Sequence, residues 1–279
     1  MLTAPAPLSA WVNPDLHPIG CIGAPSEAEP IAAIAAAEDW LRTQGCTRAL
    51  GPLDGSTWAA YRANLGPHDR PLFPGEPTAD PAPWRASGYT EAHRYSSILA
   101  DNDPQIAATR SRDAVLRAAG WILEDLTELG DFEAALDVFW QMSLASFGSN
   151  AFYTPIDRAT FGVLYARVRP LITPPLTLLA RSPDGIPGGF CFSYPDAFSP
   201  QRREFVIKTL AVVPEFRGLG LGSWLVGETH RIGAEIGFTG GGIHALMAAD
   251  NRSQRISRDI GGLVREYALF EKALSEKAL

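Results

Sequence analysis

Apolar residues recur along this chain with two periods, and the points where one gives way to the other predict its strands and helices. In IAAIAAAEDWLRTQG (31–45), Ile31, Ile34, Ala37 and Leu41 fall on one helical face, with Gly45 as the stop. CTRALGPLDG (46–55) reads as a short strand entering an Asp-Gly turn, and YTEAHRYSSIL (89–99) as another strand. Between them, LGPHDRPLFPGEPTADPAPWRASG (65–88) is dense in proline and glycine. It is expected to run over the surface rather than join the core. ADNDPQ (100–105) reads as a boundary.

Beyond that boundary the order is clearer. GWILEDL (120–126) reads as a strand, and DFEAALDVFWQMSLASF (131–147) as a helix opened by an aspartate. DRATFGVLYARVRPLI (157–172) is a second helix, stopped near Pro170. LTLLAR (176–181) and GGFCFSYPD (188–196) flank SPDGIP as a hairpin, and REFVIKTLAVV (203–213) is a long apolar strand. The next helix puts Leu221, Leu225, Ile232 and Ile236 on one face, opposite Glu228, Arg231 and Glu235. IHALMAA (243–249) is a strand, SQRISRDIG (253–261) a short helix, and REYALFEKAL (265–274) a closing strand with Tyr267 expected in the core. This order predicts a mixed α/β sheet with helices on its faces.

Composition narrows the function. The 279 residues are 46% hydrophobic and 20% charged, an ordinary globular balance with room for one large domain or two smaller ones. Net charge is −7 and no run of lysine or arginine occurs, which argues against nucleic acid as the partner. No apolar stretch reaches membrane-spanning length and the N-terminus lacks a leader pattern, so a cytoplasmic location without membrane association is expected. Cys21, Cys46 and Cys191 form no CxxC, and the five histidines make no HExxH or comparable cluster, so no disulfide framework and no metal site are expected.

The segment AVVPEFRGLGLGSWLVG (211–227) raises the chemical question. Gly218, Gly220 and Gly222 spend backbone entropy where a strand gives way to a helix, and glycine opens a helix poorly. No lysine follows as a P-loop requires. Counting GxGxxG from Gly218 or Gly220 ends on Ser223 or Leu225, so the dinucleotide fingerprint fails as well. Arg-x-x-Gly-x-Gly, here Arg217, Gly220 and Gly222, does fit, and successive N–H groups entering a helix N-terminus form an anion nest.

On LAVVPEFRGLGLGSWL (210–225), and on the element order from Gly120 onward, the chain resembles the GNAT superfamily of acyl-CoA-dependent N-acyltransferases. The resemblance implies a strand that splays from its parallel neighbour and takes pantetheine along its free edge. Leu210, Ala211, Val212 and Val213 would then face pantetheine and the acetyl group. Arg217, Gly218, Leu219, Gly220, Leu221, Gly222 and Ser223 would hold the pyrophosphate, and Asn251 would bond the pantetheine arm or else serve as an ordinary turn residue. A Tyr often stands seven positions after that Asn in the family; Arg258 stands here.

The resemblance implies acetyl-CoA as acyl donor and direct transfer to the primary amine of a small-molecule or peptide acceptor. A backbone N–H near Val212 or Val213 would polarise the thioester carbonyl, and a base would take the ammonium proton. Many family members put a Glu two residues before the Leu of this strand, where Lys208 stands here. Glu204, on the face of Leu210 by the strand period of two, and His244 are the remaining candidates for the base, each with a structural alternative. An inactive CoA-binding regulatory module is the competing reading.

The first third resembles a worn copy of the same fold. ALGPLDGSTWAAYR (49–62) aligns with ALMAADNRSQRISR (245–258), and each leads to a strand with a central tyrosine, Tyr95 or Tyr267. Where the second copy has RGLGLGS the first has PSEAEPI, whose Glu27 and Glu29 would oppose an anion. The expected organisation is a degenerate half without a cofactor site over 1–103 and a catalytic half over 104–279. The assembly is expected to be a monomer or homodimer. Phe147, Phe152, Tyr153, Phe192, Tyr194 and Phe198 are candidates to line an acceptor pocket or simply to pack.

Overall fold

A computed structural model describes residues 1–67, 69–129, 131–248 and 261–275. The first half holds β1 (Leu2–Thr3), β2 (Ala10–Val12), β3 (Ile19–Ile22), α1 (Pro30–Thr43), β4 (Arg48–Gly51), β5 (Ala63–Asn64), α2 (Ala82–Ala86) and β6 (Thr90–Ala100). The second holds α3 (Asn102–Ala118), β7 (Ile122–Asp125), α4 (Phe132–Phe147), α5 (Arg158–Ala166), β8 (Leu178–Arg181), β9 (Pro187–Pro195), β10 (Glu204–Val212), α6 (Leu221–Glu235), β11 (Gly241–Ala248) and β12 (Gly261–Ala273). Aspartates open α4 and α5: Asp131 accepts from the Ala134 N–H at 2.7 Å and Asp157 from that of Thr160 at 2.8 Å.

All twelve strands join one sheet, ordered β1-β2-β3-β4-β12-β6-β11-β10-β9-β8-β7, with β5 against β12. Only β3–β4 and β10–β11 run parallel, and each pair is bridged by a crossover helix, α1 or α6. Counted outward from the centre, β12-β4-β3-β2-β1 mirrors β6-β11-β10-β9-β8. The centre is the β6–β12 ladder, where Tyr95 faces Tyr267. The two tyrosines that mark the sequence repeat are thus cross-strand neighbours. Each half lends its last strand to the other, since β12 pairs with β4 and β6 with β11. The boundary expected after residue 103 falls in the first turn of α3.

Two expectations need correction. The Pro/Gly-rich stretch 65–88 is not a surface excursion: Leu72, Phe73 and Trp84 are each at most 1% exposed. Proline and glycine keep its backbone irregular, but its apolar side chains still leave water. Phe73 joins the core over α4, α5 and β9, and Trp84 fills the space over Gly51, where a Cβ would lie 2.0 Å from the indole. The second correction is α3, which the hydrophobic pattern does not reveal. Its buried residues are Asn102, Gln105, Thr109 and Leu116, a mostly polar stripe. It packs on α6 so closely that a Cβ on Gly227 would meet Thr109 Oγ1 at 1.8 Å. Consequently Glu228 of α6 is buried and paired with Arg117 and Arg231, while Ile236 is exposed just beyond the helix end.

A buried chain of side chains fastens α3, α6 and β11 together. The Asn102 amide donates to Phe238 O at 2.7 Å, so its oxygen accepts from His230 Nδ1–H at 2.8 Å. His230 Nε2 must then accept from His244 Nε2–H at 2.9 Å. Both imidazoles are held neutral. Burial, and for His230 also the neighbouring imidazole, lowers their pKa values, that of His244 from 6.5 to about 4.

The sign of the pH effect follows. The unfolded chain binds these protons first, so full stability is present above about pH 6.5 and is lost as pH falls toward about 4. His244 alone accounts for about 3 kcal/mol across that window. Urea midpoints should fall between about pH 6.5 and 4, while the NMR signals of His230 and His244 in the folded protein stay neutral at about pH 5.5. Titration of both rings near their ordinary value in the folded state would refute this.

Candidate functional site

The parallel ladder of β10 and β11 is short. It pairs Glu204 with Gly241 through Ile207 with His244 and then ends. Among the described residues β10 continues to Val212 on β9 alone, while β11 continues on β6. A V-shaped gap therefore opens between them. Val213 N–H donates to Gly188 O at 3.1 Å on the β9 side. By the alternation of an antiparallel ladder, Leu210 and Val212 turn their main-chain groups to the open side. Of the two N–H groups expected to polarise a carbonyl there, Val213's is thus already committed. Val212's faces the gap.

A bulge between Ile207 and Thr209 changes which side chains look which way. Phe205, Ile207, Leu210 and Val212 pack toward the core under α6, whereas Val206, Ala211 and Val213 pack toward the core on the other side. Glu204 therefore does not share a face with Leu210, because the period of two is broken between them. Its carboxylate is 5% exposed and accepts from Arg70 Nη2 at 2.8 Å, while the other arm of Arg70 reaches Asp196 at 2.7 Å. It sits three residues before the pairing ends, engaged in an ion pair. His244 stands at the apex of the gap, but its Nε2–H is given to His230 and burial keeps it a poor proton acceptor at neutral pH.

The glycine turn lies at the wide end of the gap. Gly218 and Gly220 have φ values of 90° and 91°, a region that side chains strain to adopt. Gly220 is the N-cap of α6 and supplies no side-chain cap, so the N–H groups of Leu221, Gly222 and Ser223 begin the helix without one. Among the described residues nothing lies within 4 Å of a Cβ built on Gly218. On Gly220 such an atom would meet Arg112 Nε at 2.5 Å, so α3 brings a cation beside the turn that sequence reading missed along with the helix. The side chain of Arg217 is engaged within the protein. Its Nη2 donates to Ser146 O at 2.6 Å and its Nε to Val212 O at 3.3 Å, tying the end of α4 to the end of β10. Asn251 and Arg258 lie outside the described residues. Among those described, no group of three His, Cys, Asp or Glu could hold a metal ion, and no helix is long and apolar enough to cross a membrane.

The equivalent place in the first half is closed. After Cys21 pairs with Leu50, Leu53 N–H bonds Ile22 O at 2.7 Å, so the two strands stay joined. A Cβ on Gly23 would lie 2.4 Å from Asp54 Oδ1 and 3.0 Å from the Trp11 ring. α1 begins with Pro30, which has no N–H to offer, directly behind Glu29.

Beside the open gap lies a buried polar centre. The bulge sends Lys208 over the Phe73 ring, 4.7 Å from its centroid, and Thr209 to within 3.5 Å of the Tyr165 hydroxyl. Burial and the charge of Arg62 lower the Lys208 pKa to about 8, with Glu76 pulling the other way. Glu76 accepts from Arg265 Nη1 at 2.9 and 3.0 Å, from the Tyr267 hydroxyl and from Leu72 N–H at 2.7 Å. The loop after β4 roofs this centre: Trp58 Nε1 donates to Thr154 O at 2.8 Å and its ring meets Phe147, Tyr153 and Phe161.

No protein-family model and no curated protein matches the sequence. Solved structures do match the fold. A GCN5-related N-acetyltransferase from Sphaerobacter thermophilus is similar with a TM-score of 0.56 at 13% identity, over 92% of this chain and 74% of that one. The tandem GNAT protein from the clavulanic acid biosynthesis pathway gives 0.51 at 14% identity, over 94% and 77%. A GCN5-related glucosamine N-acetyltransferase region of a fungal multi-domain β-N-acetylglucosaminidase gives 0.54 at 14%, over 91% of this chain and 29% of that one. At such identities the likeness is one of architecture. The chain has a GNAT-type acetyltransferase fold, a mixed α/β sheet parted between β10 and β11.

Proposed function

We propose that this protein is an N-acyltransferase that passes an acyl group, acetyl first among them, from acyl-CoA directly to a primary amine. The observation that carries this reading is the parting of β10 from β11, directly followed by an uncapped glycine turn. The residues present fit the donor. Leu210 and Val212 offer main-chain groups for the pantetheine arm, Gly218 has clear space, and the first N–H groups of α6 with Arg112 suit a pyrophosphate. Bound there, acyl-CoA supplies an acyl group activated as a thioester, which an amine converts to an amide with release of the thiol.

The chain's own residues divide the remaining work. Val212 N–H is the donor aimed at charge developing on a carbonyl oxygen in the gap. Lys208 takes the place of the family's glutamate as proton acceptor. An amine poised near pH 8 is half neutral there and can receive the proton that an incoming ammonium must lose. Tyr165 and Thr209 line the same side. No covalent enzyme intermediate is needed: Cys191 is wholly buried in β9, and burial raises its thiol pKa away from the nucleophilic thiolate. With the first-half cleft closed, one acyl-CoA binds per chain. The substitution of a lysine for the expected glutamate is what favours the second reading, a CoA-binding module without catalysis.

Three outcomes test the proposal. Gly220→Asp places a carboxylate, in a strained conformation, where phosphate would approach. Loss of two charge-assisted hydrogen bonds at about 1.5 kcal/mol each weakens acetyl-CoA binding by about 100-fold. Calorimetry should give one site in the wild type and none in the variant, with unchanged circular dichroism; two sites, or equal affinity, would count against it. Rates against a panel of amines should rise with pH through about 8, and Lys208→Met should lower kcat by about 100-fold or more. Tight acetyl-CoA binding with no transfer to any amine would favour the inactive module. Cys191→Ser should keep most activity, and mass spectrometry should find no acetylated cysteine that turns over on amine addition.

A further inference from the structure

Arg62 stands in the turn after β4 with φ 81°, an uncommon conformation for a residue with a side chain. Its guanidinium carbon lies 3.8 Å from the Tyr61 ring centroid and 3.6 Å from that of Tyr95, in the corner between two rings set at 87° to each other. The residue is 5% exposed; the Tyr95 hydroxyl is its side-chain partner, and its Nε and Nη1 have no hydrogen-bond partner among the described residues. Removal from water lowers its pKa to about 9, well under the ordinary arginine value. A second cation, Lys208, is close enough for each charge to oppose the other.

The carboxylates nearby are already engaged. Glu76 serves Arg265, Tyr267 and the Leu72 N–H. Asp196 and Glu204 serve Arg70, and Asp69 serves Arg265. Among the described residues no carboxylate makes an ion pair with Arg62. A buried guanidinium with idle N–H groups is held against its own desolvation, and an anion is the partner that relieves it. Phosphate would suit the exposed nest at α6. A single planar carboxylate suits the Nε and Nη1 edge of a guanidinium, which presents two N–H groups side by side.

We propose that the acceptor amine carries a carboxylate and that Arg62 binds it, so that amino acids or peptide C-termini, rather than polyamines or neutral amines, are the substrate class. This rests on the acyltransferase reading. The amine reaches the gap at Lys208 while the carboxylate reaches past it to Arg62. The same pair of charges repels polycations.

The test separates binding from turnover. Without CoA, thermal shift and calorimetry are run with N-acetylglycine, N-acetyl-β-alanine and N-acetyl-γ-aminobutyrate, each against its carboxamide. At least one carboxylate should bind ten-fold or more tightly than its amide; Arg62→Gln should erase that difference and Arg62→Lys restore part of it. Wild-type protein that binds acids and amides alike, or binds none, would overturn the proposal without recourse to any variant. So would unchanged discrimination in a folded Arg62→Gln. With acetyl-CoA, kcat/KM for the free amino acids should exceed that for their amides by a similar factor. Transfer that prefers amides overturns the acceptor assignment and leaves the transferase reading standing. Arg62-dependent carboxylate binding with no transfer to any amine overturns that reading, and the acceptor role with it.

Discussion

The architecture turns on one constraint: β10 and β11 begin as hydrogen-bonded parallel neighbours and cannot remain so. Four residue pairs satisfy the ladder, after which the bulge at Lys208 and the independent pairing of each strand pull them apart. A main-chain edge inside a protein needs partners. Arg217 Nε reaches Val212 O, but among the described residues no strand pairs with this edge of β10 beyond Ile207. Pro214 begins a tight turn that keeps β10 from continuing, and the glycines beyond it bring the start of α6 round to the mouth of the same gap. One geometric event thus sets the free edge, the helix N-terminus and, through the bulge, the direction of Lys208.

Sequence alone made much of this readable. The glycine turn, the strand before it and the order of elements follow from apolar period and turn chemistry, and β10 and α6 lie where they are expected. What escaped is whatever depends on polar burial or register. α3 hides because its inward stripe is Asn102, Gln105 and Thr109, which no hydrophobic period can display; Arg112 was lost with it. Glu204 was misplaced because a bulge of one residue reverses every facing beyond it. Arg62 carried no signal that sequence could display, since its burial and its contact with Tyr95 depend on β6, more than thirty residues further along the chain.

The repeat explains why the two halves cannot be treated as beads on a string. Exchange of β6 and β12 makes Tyr95 and Tyr267 the midpoint of a continuous sheet, so each half's core is completed by the other's last strand. In the first half Leu53 N–H bonds Ile22 O and Trp11 fills the space over Gly23, so the place equivalent to the β10–β11 gap is part of the core.

The chain after β4 runs back over β10. Trp58 reaches across to Thr154 and the aromatic side chains of α4 and α5, Arg62 enters between Tyr61 and Tyr95, and Phe73 and Glu76 come to rest beside Lys208. These contacts lie on the face of β10 that carries Lys208, so the first half contributes side chains and charge to that face of the second. On the proposed reading this face is the acceptor wall, and changes in the chain after β4 would alter it while leaving the edge of β10 and the glycine turn untouched. A donor motif held in one short segment can be read from sequence, whereas a wall assembled from both halves cannot, and that is the physical reason one was legible and the other was not.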